Sequence, residues 1–238
     1  MRMYVQSLAP GLKIEIPVID TFASILNYEE WELEKDIKRH YFYASMMLPG
    51  IIQNKPQSME TKIEKAVRRV CKDDCNSDGR RYKQATVFFP IIASGHYYLI
   101  VFNLLKGTSV IIDNSDSDAT YEEKYKENYE FMWKTKKEKI DCGLFMMMHM
   151  DNYEGKIKWE TCMLEETNKY HRLRRNNLRA KYAAKMMLHE INENQKLMSD
   201  YALKFAAKNP DKKEAEKIVN QSIMKKIVEQ DKQDNQRK

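Results

Sequence analysis

Three residues that can do chemistry, His96, Asp113 and Cys142, occur in that order, and each falls at the edge of an apolar segment. Cys142 follows Asp141 and opens an apolar run, where a helix is expected to begin. The backbone N–H groups and the positive end of a helix dipole favour the thiolate form of a cysteine in such a position. A thiolate is a nucleophile when a base stands near it.

His96 and Asp113 provide the other groups that such a nucleophile needs. Neutral imidazole can take the thiol proton, and a carboxylate on the other ring nitrogen fixes the tautomer and supports the charged form. Gly143 leaves room for a substrate carbonyl at the Cys142 amide, an oxyanion donor. Each residue alone is more often structural, as a strand histidine, a turn aspartate or a buried thiol. Together, 17 positions from His96 to Asp113, they predict a Cys–His–Asp triad in one cleft.

The elements that would carry these residues follow from the spacing of apolar side chains. Three β-rich runs, Thr86–Ile92, His96–Phe102 and Thr108–Asp113, are separated by short turns. This spacing predicts an antiparallel meander in the centre of a sheet. Asp141 is the predicted N-cap of a helix that continues to about Asp151.

Helices are predicted before the meander and after it. The segment Val18–Leu48 is expected to be mainly helical, with Asp20 or Thr21 as the cap of its first helix and Phe22, Ile25 and Leu26 at helical spacing. Shorter helices are predicted over Thr61–Val70 and Tyr121–Phe131.

The chain becomes more polar towards its end. A helix is predicted from Leu173 to about Ile191, and an amphipathic helix over Glu214–Gln230. Residues 231–238 are expected to be disordered. These features predict a catalytic domain over residues 1–197 and a polar helical extension over residues 198–238.

Composition narrows the class of protein. A chain of 238 residues can bury one sizeable core. It has no run of about 18 apolar residues and no apolar signal-peptide core at its start, so no membrane association is expected. The net charge of +6 comes from interleaved basic and acidic residues without a recognisable motif, so no specific nucleic-acid binding is predicted. Four cysteines are too few for a disulfide framework, which favours the nucleus or cytoplasm.

No metal or cofactor is predicted. Cys71 and Cys75 lie four residues apart, but no neighbouring cysteine or histidine completes a set of four zinc ligands, so both are predicted to be plain thiols.

The remaining histidines and arginines are assigned structural or solvent-facing roles. His149 is two helical turns beyond Cys142, roughly 10 Å, and is predicted to have a core or surface role. His171, His189 and the basic stretch Arg172–Arg179 are predicted to face solvent on charged helices.

Four short motifs carry a resemblance to a known family. Phe-Phe-Pro-Ile, Gly-His-Tyr-Tyr-Leu-Ile, Val-Ile-Ile-Asp-Asn and Ile-Asp-Cys-Gly-Leu-Phe-Met resemble the catalytic domain of the Ulp1-like cysteine proteases of clan CE, which include the SUMO-specific proteases. Trp133-Lys134-Thr135 before Asp-Cys-Gly is similar to the divergent plant and transposon-associated branch. The resemblance covers roughly Val18–Asn192. It implies an α+β, cysteine-protease-like fold, with a central mixed or antiparallel sheet flanked by helices.

The resemblance also implies an activity. The family cleaves peptide or isopeptide bonds after the Gly-Gly tail of SUMO or a related ubiquitin-like protein, through a thioester acyl-enzyme and without metal or cofactor. Cys142 would be the nucleophile, His96 the general base and Asp113 its orienting carboxylate. SUMO or another ubiquitin-like protein, with its conjugates, would be the partner. A narrow aromatic tunnel usually admits only glycines, and Tyr97 stands where the family often has a tryptophan.

Two departures from the family pattern keep alternatives open. Lys136–Lys139 occupies the positions where the family carries a glutamine whose side chain helps form the oxyanion hole. The Trp133 indole or the Thr135 hydroxyl are the candidate substitutes for it. Only 29 positions separate Asp113 from Cys142, which implies a shortened segment between residues 114 and 139. The alternatives are a non-catalytic relative that binds a ubiquitin-like protein, a thiol acyltransferase on the same fold, and a chromatin- or transposon-associated interaction protein.

Overall fold

The structure, a computed structural model, describes residues 5–33, 37–47, 83–93, 96–114, 140–155, 161 and 163–236. Its strands are β1 (Ile37–Tyr41), β2 (Lys83–Ala93), β3 (His96–Asn103) and β4 (Thr108–Ile112). Its α-helices are α1 (Ile16–Glu32), α2 (Cys142–Asn152), α3 (His171–Leu188), α4 (Gln195–Lys208) and α5 (Lys212–Gln236). Two short 3-10 helices cover Gln6–Leu8 and Ala44–Met47.

The four strands form one mixed sheet in the order β1-β2-β3-β4. β1 runs parallel to β2, whereas β2–β3 and β3–β4 are antiparallel. The predicted meander of three consecutive antiparallel strands is therefore confirmed, and so is the α+β class with a central mixed sheet. Helix α2 packs on β3, and every residue from Cys142 to Met150 is buried.

The alternation of side chains along β3 divides the core into two layers. Tyr97, Leu99 and Val101 belong to the larger cluster, which contains α1 and α2, while Tyr98 and Ile100 pack on the opposite face of the sheet. Because successive residues of a strand point to opposite faces, a continuous apolar run such as this one is buried on both sides.

The strand β1 was missed by the sequence prediction, which extended a helical region to Leu48. Helix α1 instead ends at Glu32, and Ile37–Tyr41 pairs with β2. Asn27 of α1 binds the backbone of the strand: its Nδ2 donates to the Tyr41 carbonyl at 2.8 Å, and its Oδ1 accepts from the Tyr41 N–H at 2.8 Å. A parallel pairing across 40 or more positions leaves no local signal, which explains the error.

We expect Asn27→Ala to lower the free energy of unfolding by about 2–4 kcal/mol, because two buried backbone groups would each lose a partner worth roughly 1–3 kcal/mol. Denaturant unfolding followed by circular dichroism measures this change. The exposed Asn177 of α3 is the matched control, and Asn177→Ala should stay within about 0.5 kcal/mol of wild type. Equal effects of the two substitutions would contradict the assigned role of Asn27.

The start of α1 also differs from the prediction. The helix begins at Ile16 after Glu15, with Pro17 in its first turn, so Asp20 and Thr21 lie inside it and cap nothing. Proline suits the first turn because its missing N–H has no helical partner there. The predicted apolar face is confirmed, since Phe22, Ile25 and Leu26 are buried.

The C-terminal helices were predicted in part. Helices α2, α3 and α5 lie where the sequence placed them, whereas α4 was not predicted. Helix α5 continues to Gln236, into residues predicted to be disordered. Helix α4 buries none of its residues. The boundary near residue 197 stays a prediction.

Several sequence predictions lie outside the described residues. They concern the helices over 61–70 and 121–131, the thiols Cys71 and Cys75, and the segment 133–139 with its oxyanion candidates. Within the described ranges, no helix is long and apolar enough to cross a membrane. Over the same part of the chain, no group of three or more His, Cys, Asp or Glu side chains could hold a metal ion.

Candidate active site

His96 and Asp113 form a direct hydrogen bond at the end of the sheet. The Nε2 atom of His96 lies 2.8 Å from Oδ1 of Asp113. The Asp113 side chain is 13% exposed, and the His96 side chain is 34% exposed. The pair is therefore shielded on the carboxylate side and open to solvent on the imidazole side.

The strand register explains how these two residues meet. In the antiparallel pair β3–β4, Leu99 is opposite Ile112, so the end of β4 lies beside the beginning of β3. Asp113 directly follows Ile112, and His96 is the first residue of β3. Because every second residue of a strand points to the same face, the ring of His96 lies beside the ring of Tyr98, with the two ring centroids 6.3 Å apart.

Cys142 is the first residue of α2 and is buried, with 1% of its surface exposed. Its side chain is near enough to His96 to contribute to the raised pKa of that imidazole. Because His96 uses Nε2 for Asp113, Nδ1 is the ring nitrogen left for the thiol. The structure thus brings together the three residues singled out in the sequence, in the chain Asp113–His96–Cys142.

The pKa of His96 is raised from its ordinary value to about 9. The hydrogen bond with Asp113 is the largest cause, and the hydrogen bond with Cys142 is the second. Burial acts in the opposite direction, and the negative charge of Asp113 reinforces the rise. The protonated imidazole is therefore the favoured form of His96 at neutral pH.

A short segment near the N-terminus packs against Gly143, the residue after Cys142. A Cβ added at Gly143 would be 3.1 Å from Cβ of Ile14 and 3.5 Å from Cδ1 of the Tyr97 ring. The Tyr97 hydroxyl donates to the Ile14 carbonyl at 2.8 Å, and the Lys13 ammonium lies 5.5 Å from the centre of the Tyr97 ring. Lys13, Ile14 and Tyr97 thus form one wall beside Gly143, and Ile14 and Tyr97 belong to the same buried cluster as Cys142.

We expect Gly143→Ala to lower the free energy of unfolding by about 1–2 kcal/mol. The added methyl group overpacks a site whose nearest neighbour, Cβ of Ile14, is fixed to the backbone, which costs about 1–3 kcal/mol. The higher helix propensity of alanine offsets up to about 1 kcal/mol of this cost. Chemical denaturation measures the sum, and a variant more stable than wild type would show that Ile14 yields freely.

Asp141 does not cap α2 with its side chain, although it occupies the predicted N-cap position. Its carboxylate instead binds two arginines of α3: Oδ1 accepts from Arg179, and Oδ2 lies 3.0 Å from Nη1 of Arg175. Arg179 is 1% exposed. The prediction that the stretch Arg172–Arg179 faces solvent holds for Arg172 and Arg174 but is wrong for Arg179.

The other histidines are covered as well. His171, predicted to face solvent, is buried and its Nδ1 lies 2.6 Å from the Leu164 carbonyl oxygen. His189 is largely covered, 3.6 Å from a carboxylate oxygen of Glu29. His149 lies in the core, where burial lowers its pKa to about 3. The sequence prediction had left core and surface open for His149 and was wrong for His171 and for His189, whose side chain is only 12% exposed.

Comparison with known proteins gives similarities of structure. No protein-family model matches the chain, and no curated protein matches it. The chain is similar to a de-sumoylating protease, with 15% identity, 84% of this chain and 90% of that chain covered, and a TM-score of 0.49. It is similar to the C-terminal Ulp1 protease domain solved in complex with Smt3, the yeast ortholog of SUMO (15% identity, 77% and 83% covered, TM-score 0.45). It is also similar to the Chaetomium thermophilum Ulp1-like SUMO protease catalytic domain (15% identity, 74% of each chain, TM-score 0.43). The sequence motifs resemble the same group of proteins.

Proposed function

We propose that this protein is a cysteine peptidase in which Cys142 is the nucleophile, His96 the general base and acid, and Asp113 the group that orients His96. The observation that carries the proposal is the His96–Asp113 hydrogen bond, with Cys142 near enough to His96 to contribute to its raised pKa. A nucleophile bound to a base that is held by a third group is the arrangement expected of covalent acyl transfer.

The first chemical step forms the acyl-enzyme. Because His96 is favoured as the imidazolium, the reactive form pairs the Cys142 thiolate with this imidazolium, which Asp113 supports. The sulfur attacks the substrate carbonyl carbon, so that a C–S bond forms and the carbonyl oxygen becomes negative. The backbone N–H groups of Cys142 and Gly143 lie in the first turn of α2, where they point along the helix axis and can donate to that oxygen.

The second step releases the products. His96 returns its proton to the leaving nitrogen as the C–N bond breaks, which leaves a thioester on Cys142. A water molecule then loses a proton to His96 and attacks the thioester, and the C–S bond breaks to regenerate the thiol. The raised pKa of His96 supports this role, because the imidazolium needed for amine departure is the favoured form at neutral pH.

The proposed substrate is a protein with a Gly-Gly tail, SUMO or a related ubiquitin-like modifier, free or in conjugates. The motifs around His96 and Cys142, which resemble those of the SUMO-specific proteases, support this. No cofactor takes part in the proposed reaction. The proposed location is the nucleus or cytoplasm, where such conjugates would be met.

A mechanism-based probe tests the proposal. SUMO and ubiquitin, each ending in a vinyl sulfone in place of the last glycine carboxylate, are incubated with wild type, Cys142→Ala and His96→Ala. We expect the SUMO probe to add its mass to wild type through Cys142, slowly or not at all to His96→Ala, and not to Cys142→Ala.

The outcomes separate the alternative functions. Labelling followed by transfer of an acyl group from a thioester donor to an amine, in preference to water, would identify an acyltransferase. Binding of SUMO without labelling or cleavage would identify a non-catalytic relative. The proposal would be rejected if SUMO neither labels nor binds the protein.

A further inference from the structure

Arg179 of α3 uses its whole guanidinium group to join parts of the chain that are far apart in sequence. Nε donates to Oδ1 of Asp141 at 2.8 Å, and Nη2 donates to the same oxygen. Nη1 donates to the carbonyls of Ser7 at 3.1 Å and Ala9 at 2.9 Å, and Nη2 donates to the carbonyl of Leu12 at 2.7 Å. A guanidinium has five N–H donors, so every one has an acceptor.

The acceptors flank the proposed nucleophile on two sides. Asp141 immediately precedes Cys142, and its carbonyl accepts the first hydrogen bond of α2 from the Phe145 N–H at 3.0 Å. Leu12 is two residues before Ile14, whose side chain lies against Gly143. Arg179 therefore fixes both the end of α2 that carries Cys142 and the segment that walls it.

The buried carboxylate of Asp141 is paired with two arginines. Arg179 and Asp141 are both buried, and Arg175 approaches the second carboxylate oxygen of Asp141. Burying such ions costs several kcal/mol each, and their attraction offsets this only in good geometry with every donor satisfied.

We propose that Arg179 is a positioning residue of the active site, which sets the distance between the wall formed by Lys13 and Ile14 and the Cys142–Gly143 turn. This inference rests on the proposed function for its kinetic consequence, but its geometric consequence is independent of turnover. Lysine has only three donors and no planar fork, so it cannot hold both sides of the site at once.

The kinetic test compares Arg179→Lys with Arg174→Lys, a control at an exposed position of the same helix. Cleavage of a Gly-Gly-tailed substrate is measured well below the melting temperature of each variant, with active sites counted by the SUMO probe. We expect kcat per active site to fall at least tenfold in Arg179→Lys with KM changed less than threefold, and the control to match wild type. A lower melting temperature with kcat per site unchanged would overturn the proposal, because a purely structural role changes only the amount of folded protein.

A second measurement does not need turnover and therefore separates this inference from the proposed function. Cys142 is alkylated with chloroacetamide, a small neutral reagent, and the modified peptide is quantified by mass spectrometry. We expect alkylation to be at least fivefold faster in Arg179→Lys than in wild type and the control, because the wall no longer covers the thiol. If wild type shows no proteolysis, this rate alone decides: faster alkylation supports the positioning role, and an unchanged rate overturns it.

Asp141→Asn is a second variant for the case in which Arg179→Lys does not fold. It keeps an oxygen for Arg179 but removes the charge that holds both arginines. We expect the same direction of change in kcat and in alkylation rate, and wild-type values for both would overturn the proposal.

Discussion

Asp113→Asn is expected to lower kcat/KM by about 10²–10⁴-fold while leaving the fold intact. In the serine-protease triad the corresponding change costs about 10⁴-fold, because the amide favours the wrong imidazole tautomer. Here Asp113 accepts the hydrogen bond from Nε2 of His96. An amide nitrogen in its place cannot accept that bond. Nδ1, the ring nitrogen left for Cys142, would then no longer be held in one protonation state. Steady-state kinetics with a Gly-Gly-tailed substrate measures the loss.

The same substitution should change the titration of His96. Asp113 is the largest cause of the raised pKa, so its removal should move the titration of His96 from about 9 towards lower pH. The basic limb of the kcat/KM profile, where the imidazolium is lost, should move with it. Cys142→Ala should also lower the pKa of His96, because the second cause is then absent.

Histidine C–H signals in NMR spectra report this titration without any turnover. His149 provides an internal reference, because burial keeps it neutral across the range. Asp200→Asn on the exposed face of α4 is the control substitution and should leave both rate and titration unchanged. A His96 signal that titrates near 6.5 in wild type would contradict the geometry of the site.

The raised pKa also has a consequence for stability. A histidine whose pKa is higher in the folded than in the unfolded state contributes stability below pH about 6.5, and this contribution is lost as pH rises through about 9. The difference in unfolding free energy between wild type and Asp113→Asn should therefore shrink across that window.

Arg179→Met is expected to lower the free energy of unfolding by about 3–5 kcal/mol, the cost of leaving the buried Asp141 carboxylate without its main partner. Three backbone carbonyls would lose their donors at the same time. Arg174→Met, at an exposed position, should change stability by less than about 0.5 kcal/mol. Denaturant midpoints at constant m-value measure both effects.

A double-mutant cycle identifies the origin of that loss. When Asp141→Asn already removes the charge, Arg179→Met should cost less than it does in wild type, since no buried carboxylate is left unpaired. Additive costs would show that the carbonyl contacts, and not the ion pair, dominate.

The sequence predicted correctly those elements whose local residue pattern also determines what they pair with in the fold. Each strand of the β2–β3–β4 meander is a β-rich apolar run followed by a turn, so its elements and antiparallel pairing followed from spacing alone. The meeting of His96 with Asp113 follows from that pairing. Helix α2 was predicted for the same reason, since its apolar run starts directly after Asp141. The catalytic roles themselves stay predictions until the kinetic tests above.

The errors fall where the decisive partner is distant in sequence. Arg179 stands among exposed basic residues, and its acceptors lie up to 172 positions away. The strand β1 is held by Asn27 and by a parallel neighbour, neither of which leaves a mark in the strand itself. The Trp133 indole and the Thr135 hydroxyl, the candidate oxyanion donors before Cys142, lie outside the described residues. Their role therefore stays a prediction.

The long reach of Arg179 also determines when the site can be completed during synthesis of the chain. At about 5–20 residues per second, Arg179 emerges roughly 10–35 s after Ser7, to which its Nη1 binds across 172 positions. Until then, the residues around Ser7 and the start of the Cys142 helix have no guanidinium to join them. The nascent chain therefore carries Cys142 before the guanidinium that joins the segments around it, and the proposed site is completed only after residue 179 has been translated.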